Sequence, residues 1–205
     1  MRRSRVSPPV AEDSFEAVVR ALRGVPSRRI GEVSSGDLVI VRGTVAAAAG
    51  RPRVRSPLTA EPCLLWSLRV TDPQSDHGAT ELERQRGAAL VVTDGTGRAH
   101  VDGRDALFVT ERRVRMDAEE APPRLRALLR AAGLEWDPHL ACEVAELRVG
   151  DTVAVRGVTR IESDSVEAET GSYRDVGRTV AIGAAPDRRV IVALGPPYDL
   201  DPDVW

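Results

Sequence analysis

The sequence predicts a mainly β protein: a barrel-like fold of the small OB-like type, with one N-terminal helix and one inserted helix. Three observations point there. Short β-branched runs recur along the chain, each bounded by glycine, proline or aspartate. Only two stretches carry apolar residues at helical spacing. One strand lead-in occurs twice: Glu32-Val-Ser-Ser-Gly-Asp-Leu-Val-Ile-Val-Arg-Gly-Thr-Val45 matches Glu146-Leu-Arg-Val-Gly-Asp-Thr-Val-Ala-Val-Arg-Gly-Val-Thr159 at seven of fourteen positions, at an offset of 114. Composition alone gives about one match in such a window. Both copies hold a Gly-Asp turn, a Val-x-Val core face and an Arg-Gly exit, where glycine admits a bulge or a close backbone approach. Two related half-barrels, or one common way of starting a barrel strand, are both open readings.

In chain order, residues 1–12 read as a disordered arm, and 13–195 as a single domain. Asp13 and Glu16 form a capping-box pattern. Phe15, Val18, Val19 and Leu22 follow at i, i+3, i+4 and i+7 until Gly24. This predicts a helix over 14–23 whose stripe docks on the sheet that follows. Gly36-Asp37 feeds a strand from Leu38 to Val45, and Ala46 to Arg55 reads as a small, basic loop.

That loop leads into Ser56-Pro57-Leu58-Thr59-Ala60-Glu61-Pro62-Cys63. The prolines fix φ and keep the residues before them extended. The hydroxyls of Ser56 and Thr59 can bond nearby backbone groups. A stiff corner results, and it launches a strand over 64–70. Alternation places Leu64, Trp66, Leu68 and Val70 on one face and Cys63, Leu65, Ser67 and Arg69 on the other, a half-buried strand. Thr71 to Gly87 is polar and reads as an excursion of low order, with at most a helical turn.

Leu90–Asp94 and Arg98–Asp102 flank Gly95-Thr96-Gly97, a hairpin. Ala106 to Met116 is β-rich. Pro122-Pro123 then opens a helix with Leu125, Leu128 and Leu129 on one face and Gly133 at its end. Strands near 179–184 and 188–194 close the domain. Residues 196–205 form an acidic, proline-bearing tail that ends in Trp205.

Composition narrows the chemistry. All 29 basic residues are arginine, and the chain has no lysine and no asparagine. Phosphate-binding P-loops, Schiff bases, lysine general bases and N-glycosylation sequons are therefore excluded. A formal charge of −2 gives no global attraction to nucleic acid or anionic membrane. No stretch approaches 18 apolar residues, and no apolar core follows the basic start, so neither a membrane span nor a signal peptide is expected. Two cysteines, Cys63 and Cys142, make no disulfide framework in 205 residues, which points to a reduced, cytoplasmic setting.

Ser56–Cys63, then Asp94-Gly-Thr-Gly-Arg-Ala-His-Val-Asp102, then Leu147-x-x-Gly-Asp-x-Val-x-Val-x-Gly157 resemble, in order, blocks of the GIDE or "beside a membrane" (BAM) domain. That domain occurs in the mitochondrial outer-membrane E3 ubiquitin ligase family and in many bacterial proteins. The resemblance spans about residues 32–195. It implies a β-rich, barrel-like domain that senses or recruits a substrate beside transmembrane helices. Ala60 stands where the family usually has glycine, and flanking membrane helices are absent. A RING needs eight Cys/His ligands for two zinc ions, and this chain has two Cys and three His, so ligase activity does not carry over.

Cys63 could act as nucleophile with His100 as base, but no third group orients them, and a free cysteine at a loop–strand junction is usually a small hydrophobe. His139 and Cys142, with Cys63 and His100, could supply four zinc ligands, yet only one pair is local. Asp94-Gly-Thr-Gly97 lacks the paired carboxylate of an aspartic protease and reads as a turn. Single-stranded nucleic acid would need stacking aromatics. Trp66, the aromatic on a well-defined strand, lies on an apolar face and reads as core. Arg51, Arg53 and Arg55, like Arg112, Arg113 and Arg115, read as solvated faces. The expected function is a non-catalytic interaction or sensor module for a protein or small ligand, needing no cofactor or metal and not inserting into a membrane. A nucleic-acid-binding barrel and a substrate-recruiting adaptor without ligase chemistry are the alternatives. The expected binding surface is Ser56, Pro57, Leu58, Thr59, Pro62 and Cys63 of the corner, joined by Asp94, Thr96 and Arg98 of the hairpin.

Overall fold

The computed structural model describes residues 15–74, 80–134, 139–162, 179–184 and 189–195. The expected arm, the Asp13 cap and the acidic tail lie outside them. In chain order the elements are α1 (Phe15–Leu22), β1 (Leu38–Ala47), β2 (Val54–Arg55), β3 (Pro62–Cys63), β4 (Leu65–Thr71) and β5 (Thr80–Gly87). There follow β6 (Ala89–Thr93), β7 (Arg98–Asp102), β8 (Leu107–Thr110), β9 (Val114–Asp117) and α2 (Pro123–Ala131). β10 (Ala141–Leu147), β11 (Thr152–Glu162), β12 (Thr179–Gly183) and β13 (Ile191–Leu194) complete the chain. Short 3-10 turns sit at Ile30–Glu32 and Ala118–Glu120.

The molecule is mainly β, as expected. β1, β6, β7, β12 and β11 pair in sequence, and β11 pairs back onto β1, closing a five-stranded barrel. Closure leaves these strands no free edge. Alternate side chains point inward: Val39, Val41 and Val45 of β1 meet Leu90, Val92, Ala99, Val101, Val153 and Val155 in one core. With 3% aromatics, valine, leucine, isoleucine and alanine fill most of this interior, with Phe108 among them.

The two copies of the repeat are each other's partners. β1 and β11 run antiparallel with Val41 opposite Val155, its equivalent in the repeat, so a local twofold axis passes between them. Equivalent bonds recur on both sides. Gly36 N–H donates to the Thr159 carbonyl at 2.7 Å and Gly150 N–H to the Val45 carbonyl at 2.8 Å. Asp37 accepts from Ser34 N–H at 2.8 Å, and Asp151 from Arg148 N–H at 2.7 Å. Gly36 and Gly150 sit at φ of 92° and 94°, which a Cβ disfavours. At the Arg-Gly exits, a Cβ on Gly43 would lie 2.3 Å from the Thr93 carbonyl oxygen, and one on Gly157 2.7 Å from that of Gly183. Glycine therefore permits the close approach there.

A second sheet, ordered β5-β4-β10-β9, packs its apolar face on α2. Leu125 and Leu129 of α2 are buried against Trp66, Leu68, Val70 and Val144. Burial of this kind stabilises by about 1.5–3 kcal/mol per large side chain. Trp66 is core, as expected. α1 sets Val18 and Leu22 on the outside of the barrel, over Ile40, Ala154, Ile191 and Ala193.

Three expectations need correction. The strand launched by the corner is buried on both faces, because the barrel core and the α2 layer cover opposite sides. A bend at Leu64 also offsets the alternation by one, so Cys63 joins the Trp66 cluster while Leu64 and Leu65 enter the barrel core. Part of the polar excursion over 71–87 is β5, a strand hydrogen-bonded to β4 along its length. Its side chains stay largely exposed, so no apolar alternation marks it. Residues 106–116 are β-rich, as expected, and divide between two sheets, β8 beside β13 and β9 beside β10.

Candidate binding corner and groove

Ser56 is fully buried and organises the corner. Its Oγ donates to Glu146 and accepts the N–H groups of Leu58 and Thr59, both at 2.9 Å. Its own N–H donates to the Glu61 carbonyl at 2.9 Å, and its carbonyl accepts from Ala60 N–H. Every polar group of Ser56 is thus engaged within the protein. The second oxygen of Glu146 accepts from the Arg148 guanidinium at 2.8 Å, and Arg148 also reaches Glu61 at 3.5 Å. β2 pairs with β3 at Val54–Cys63 and Arg55–Pro62, so the corner is the loop of a two-rung hairpin. Ala60 takes φ 63°, the left-handed region, and among the described residues it is the non-glycine that does so. That conformation costs an alanine about 1–2 kcal/mol. Arg55, donating to the Ala60 carbonyl at 3.0 Å, helps hold it.

Cys63 is 2% exposed. Burial, then the Glu146 carboxylate, push its thiol up to about 11, against the opposing pull of Arg148 and Arg124. It is therefore protonated at neutral pH. His100 is exposed on the outer face of β7, whereas Cys63 packs in the α2 layer, so the two do not form a nucleophile–base pair. His139 is exposed in a turn and Cys142 is buried in β10. Among the described residues no three His, Cys, Asp or Glu side chains converge to hold a metal ion.

Asp94-Gly-Thr-Gly97 is a turn. Asp94 Oδ1 accepts from the N–H groups of Thr96 and Gly97 and from the Thr96 hydroxyl, at 2.7–3.1 Å. Oδ2 accepts from Ile30 N–H at 2.7 Å, and Thr96 Oγ1 from Gly31 N–H at 3.0 Å. Burial opposes the charge of Asp94, but the bonds from Ile30, Thr96 and Gly97 outweigh it and hold the carboxyl below its ordinary value. The corner is thus anchored on Glu146 and the hairpin loop on the Ile30–Glu32 turn, two separate anchorages. Of the expected binding residues, Thr59, Pro62, Thr96 and Arg98 are exposed. Leu58 and Asp94 are half-buried, and Ser56, Pro57 and Cys63 are buried.

The corner also props a concavity that sequence reasoning missed. The loop over 48–54, which runs into β2, forms one bank of a groove of about 880 Å³ on the outer face of the barrel. The start of β6 and the end of β7 make its floor, and the ends of β11 and β12 its other bank. Arg51 and Arg53 stand on the first bank, Arg160 on the second, with His100 and Arg104 between them. Arg104 grips Asp102 through both carboxylate oxygens. That hydrogen bond and the nearby Arg51 hold the Asp102 carboxyl below its ordinary value. Small residues, Ala49 on one bank, Ala89 on the floor and Ala181 and Gly183 on the other bank, keep the groove open, and among the described residues no Phe, Tyr or Trp lines it.

Compared with known proteins, the chain matches no family model, no curated protein and no solved structure. Among the described residues no helix is long and apolar enough to cross a membrane.

Proposed function

We propose that this chain is a non-catalytic binding module of the GIDE type, a barrel that presents an outer surface to a protein partner as adaptor or sensor. One observation carries the reading. The Ser56–Cys63 corner, which bears the resemblance, spends its polar groups bracing a hairpin whose lead-in forms a bank of the outer groove. Its cysteine is buried and protonated, so the corner supports a surface rather than a reaction. In this reading the protein works in the cytoplasm, and any membrane association runs through its partner. Recruiting a substrate for a separate ligase is one form of the same role. Single-stranded nucleic acid is the second reading: the groove arginines favour it, and the lack of Phe, Tyr or Trp among the described lining residues opposes it.

The test is affinity capture of the tagged full chain from its native cells. A specific protein recovered in near-stoichiometric amount, and retained after nuclease treatment, is the expected result. Recovery of nucleic acid alone, or of no partner, overturns the reading.

A further inference from the structure

We infer that the outer groove is a binding site for a short acidic peptide segment of a partner protein, a conclusion that rests on the binding-module reading. The charges argue for it. Four arginines line the groove against two carboxylates, Asp102 and Glu162. Asp102 is engaged by Arg104, with Arg51 close enough to act on its charge. Arg53 and Arg160, one on each bank, are exposed and make no ion pair with the described residues. Two exposed guanidinium forks lining one trough suit carboxylates on one extended chain, since each fork can take a carboxylate bidentately. The small side chains of Ala49, Ala89, Ala181 and Gly183 leave room for a peptide backbone to lie low in the groove.

The same features select a peptide over nucleic acid. A single strand binds by stacking bases on aromatics while its phosphates follow a long positive track. Among the described residues no Phe, Tyr or Trp lines the groove, and the chain as a whole carries a formal charge of −2. A long polyanion would leave the local arginines and run over a net negative surface. A short acidic segment meets only the groove.

The experiment uses the full chain and two fluorescein-labelled probes in anisotropy titrations at low salt: a twelve-residue peptide of alternating glutamate and alanine, and an oligo(dT) of equal length. The groove variant is Arg53→Glu with Arg160→Glu. The control is Arg20→Glu with Arg130→Glu, which reverses two exposed arginines outside the groove. The expected result is saturable binding of the peptide, at least tenfold weaker in the groove variant and within twofold in the control, and weakened by added salt. All four positions are exposed, so melting temperatures should stay together and a folding defect would be visible as their divergence. Absence of saturable peptide binding overturns the assignment, as does an equal loss in the control. Tighter binding of oligo(dT) that the groove variant abolishes gives the site to nucleic acid instead. If the groove variant still captures the cellular partner, the module reading stands and the groove assignment falls.

Discussion

Replacing Ser56 by alanine removes one oxygen that ties three segments of chain together. Oγ accepts two backbone N–H groups of its own corner and donates to Glu146, 90 residues away. The Leu58 and Thr59 amides lie in half-buried and exposed residues, so water satisfies part of what they lose. Glu146 is worse placed, with a side chain only 9% exposed, and it forfeits a hydrogen bond to a charged acceptor. Bonds of that kind contribute about 1.5–3 kcal/mol. With a partial cost for the amides, Ser56→Ala should destabilise by about 2–4 kcal/mol. At this chain length each kcal/mol lowers Tm by about 2–4 °C. Urea denaturation of both proteins measures the difference directly. Thr59→Ala is the comparison, since its hydroxyl accepts a single exposed N–H at 3.3 Å and its loss should stay within about 0.5 kcal/mol. A Ser56→Ala loss no larger than that of Thr59→Ala would refute the bracing role and return the corner to a simple surface loop.

Three further outcomes follow from the same region. Cys63 should resist iodoacetamide in the native protein at neutral pH and react readily in urea; fast alkylation of the folded chain would contradict its burial. Its thiol is raised in the folded state, so the fold holds that proton more tightly than the unfolded chain does. The stability this confers is whole below about pH 9 and is lost as pH rises towards about 11, a window that alkaline denaturation curves of Cys63→Ala and the parent can compare. Ala60→Gly should stabilise by about 0.5–1 kcal/mol, because glycine takes φ 63° without the Cβ penalty, although it raises the entropy of the unfolded chain. A lower urea midpoint for that variant would count against strain at the corner.

Much of the architecture could be read from residue pattern alone, and the exceptions have physical reasons. Val39, Val41 and Val45 announce their strand because the barrel core takes alternate residues, while of Ile40, Arg42 and Thr44 between them Ile40 alone is buried, under α1. β5, with Thr80-Glu-Leu-Glu-Arg-Gln-Arg-Gly87, belongs to a sheet through its backbone while most of its side chains face water. Hydrogen-bonded edges of that sort leave little trace in hydropathy. The Leu64 bend escaped because alternation assumes an unbroken pleat, and one irregular residue reverses every face assignment before it. The stiffness of the corner was legible in Pro57 and Pro62. The burial of Ser56 was not, since its partner Glu146 lies in a strand brought alongside only by folding. The groove was illegible for the same reason: Arg53, His100 and Arg160 share one surface only once β7, β11 and β12 are side by side.

The seam between Val41 and Val155 has a consequence for assembly. Because matching positions face one another there, two separate chains of half the length could form the same junction between themselves as a symmetric dimer. Joining the halves covalently makes their union independent of dilution, at the high effective concentration that a linker supplies. It also releases the two from having to stay alike. One half is then free to carry the proline-braced hairpin and the other to shape the opposite bank, so a trough with two different sides becomes possible on a twofold framework.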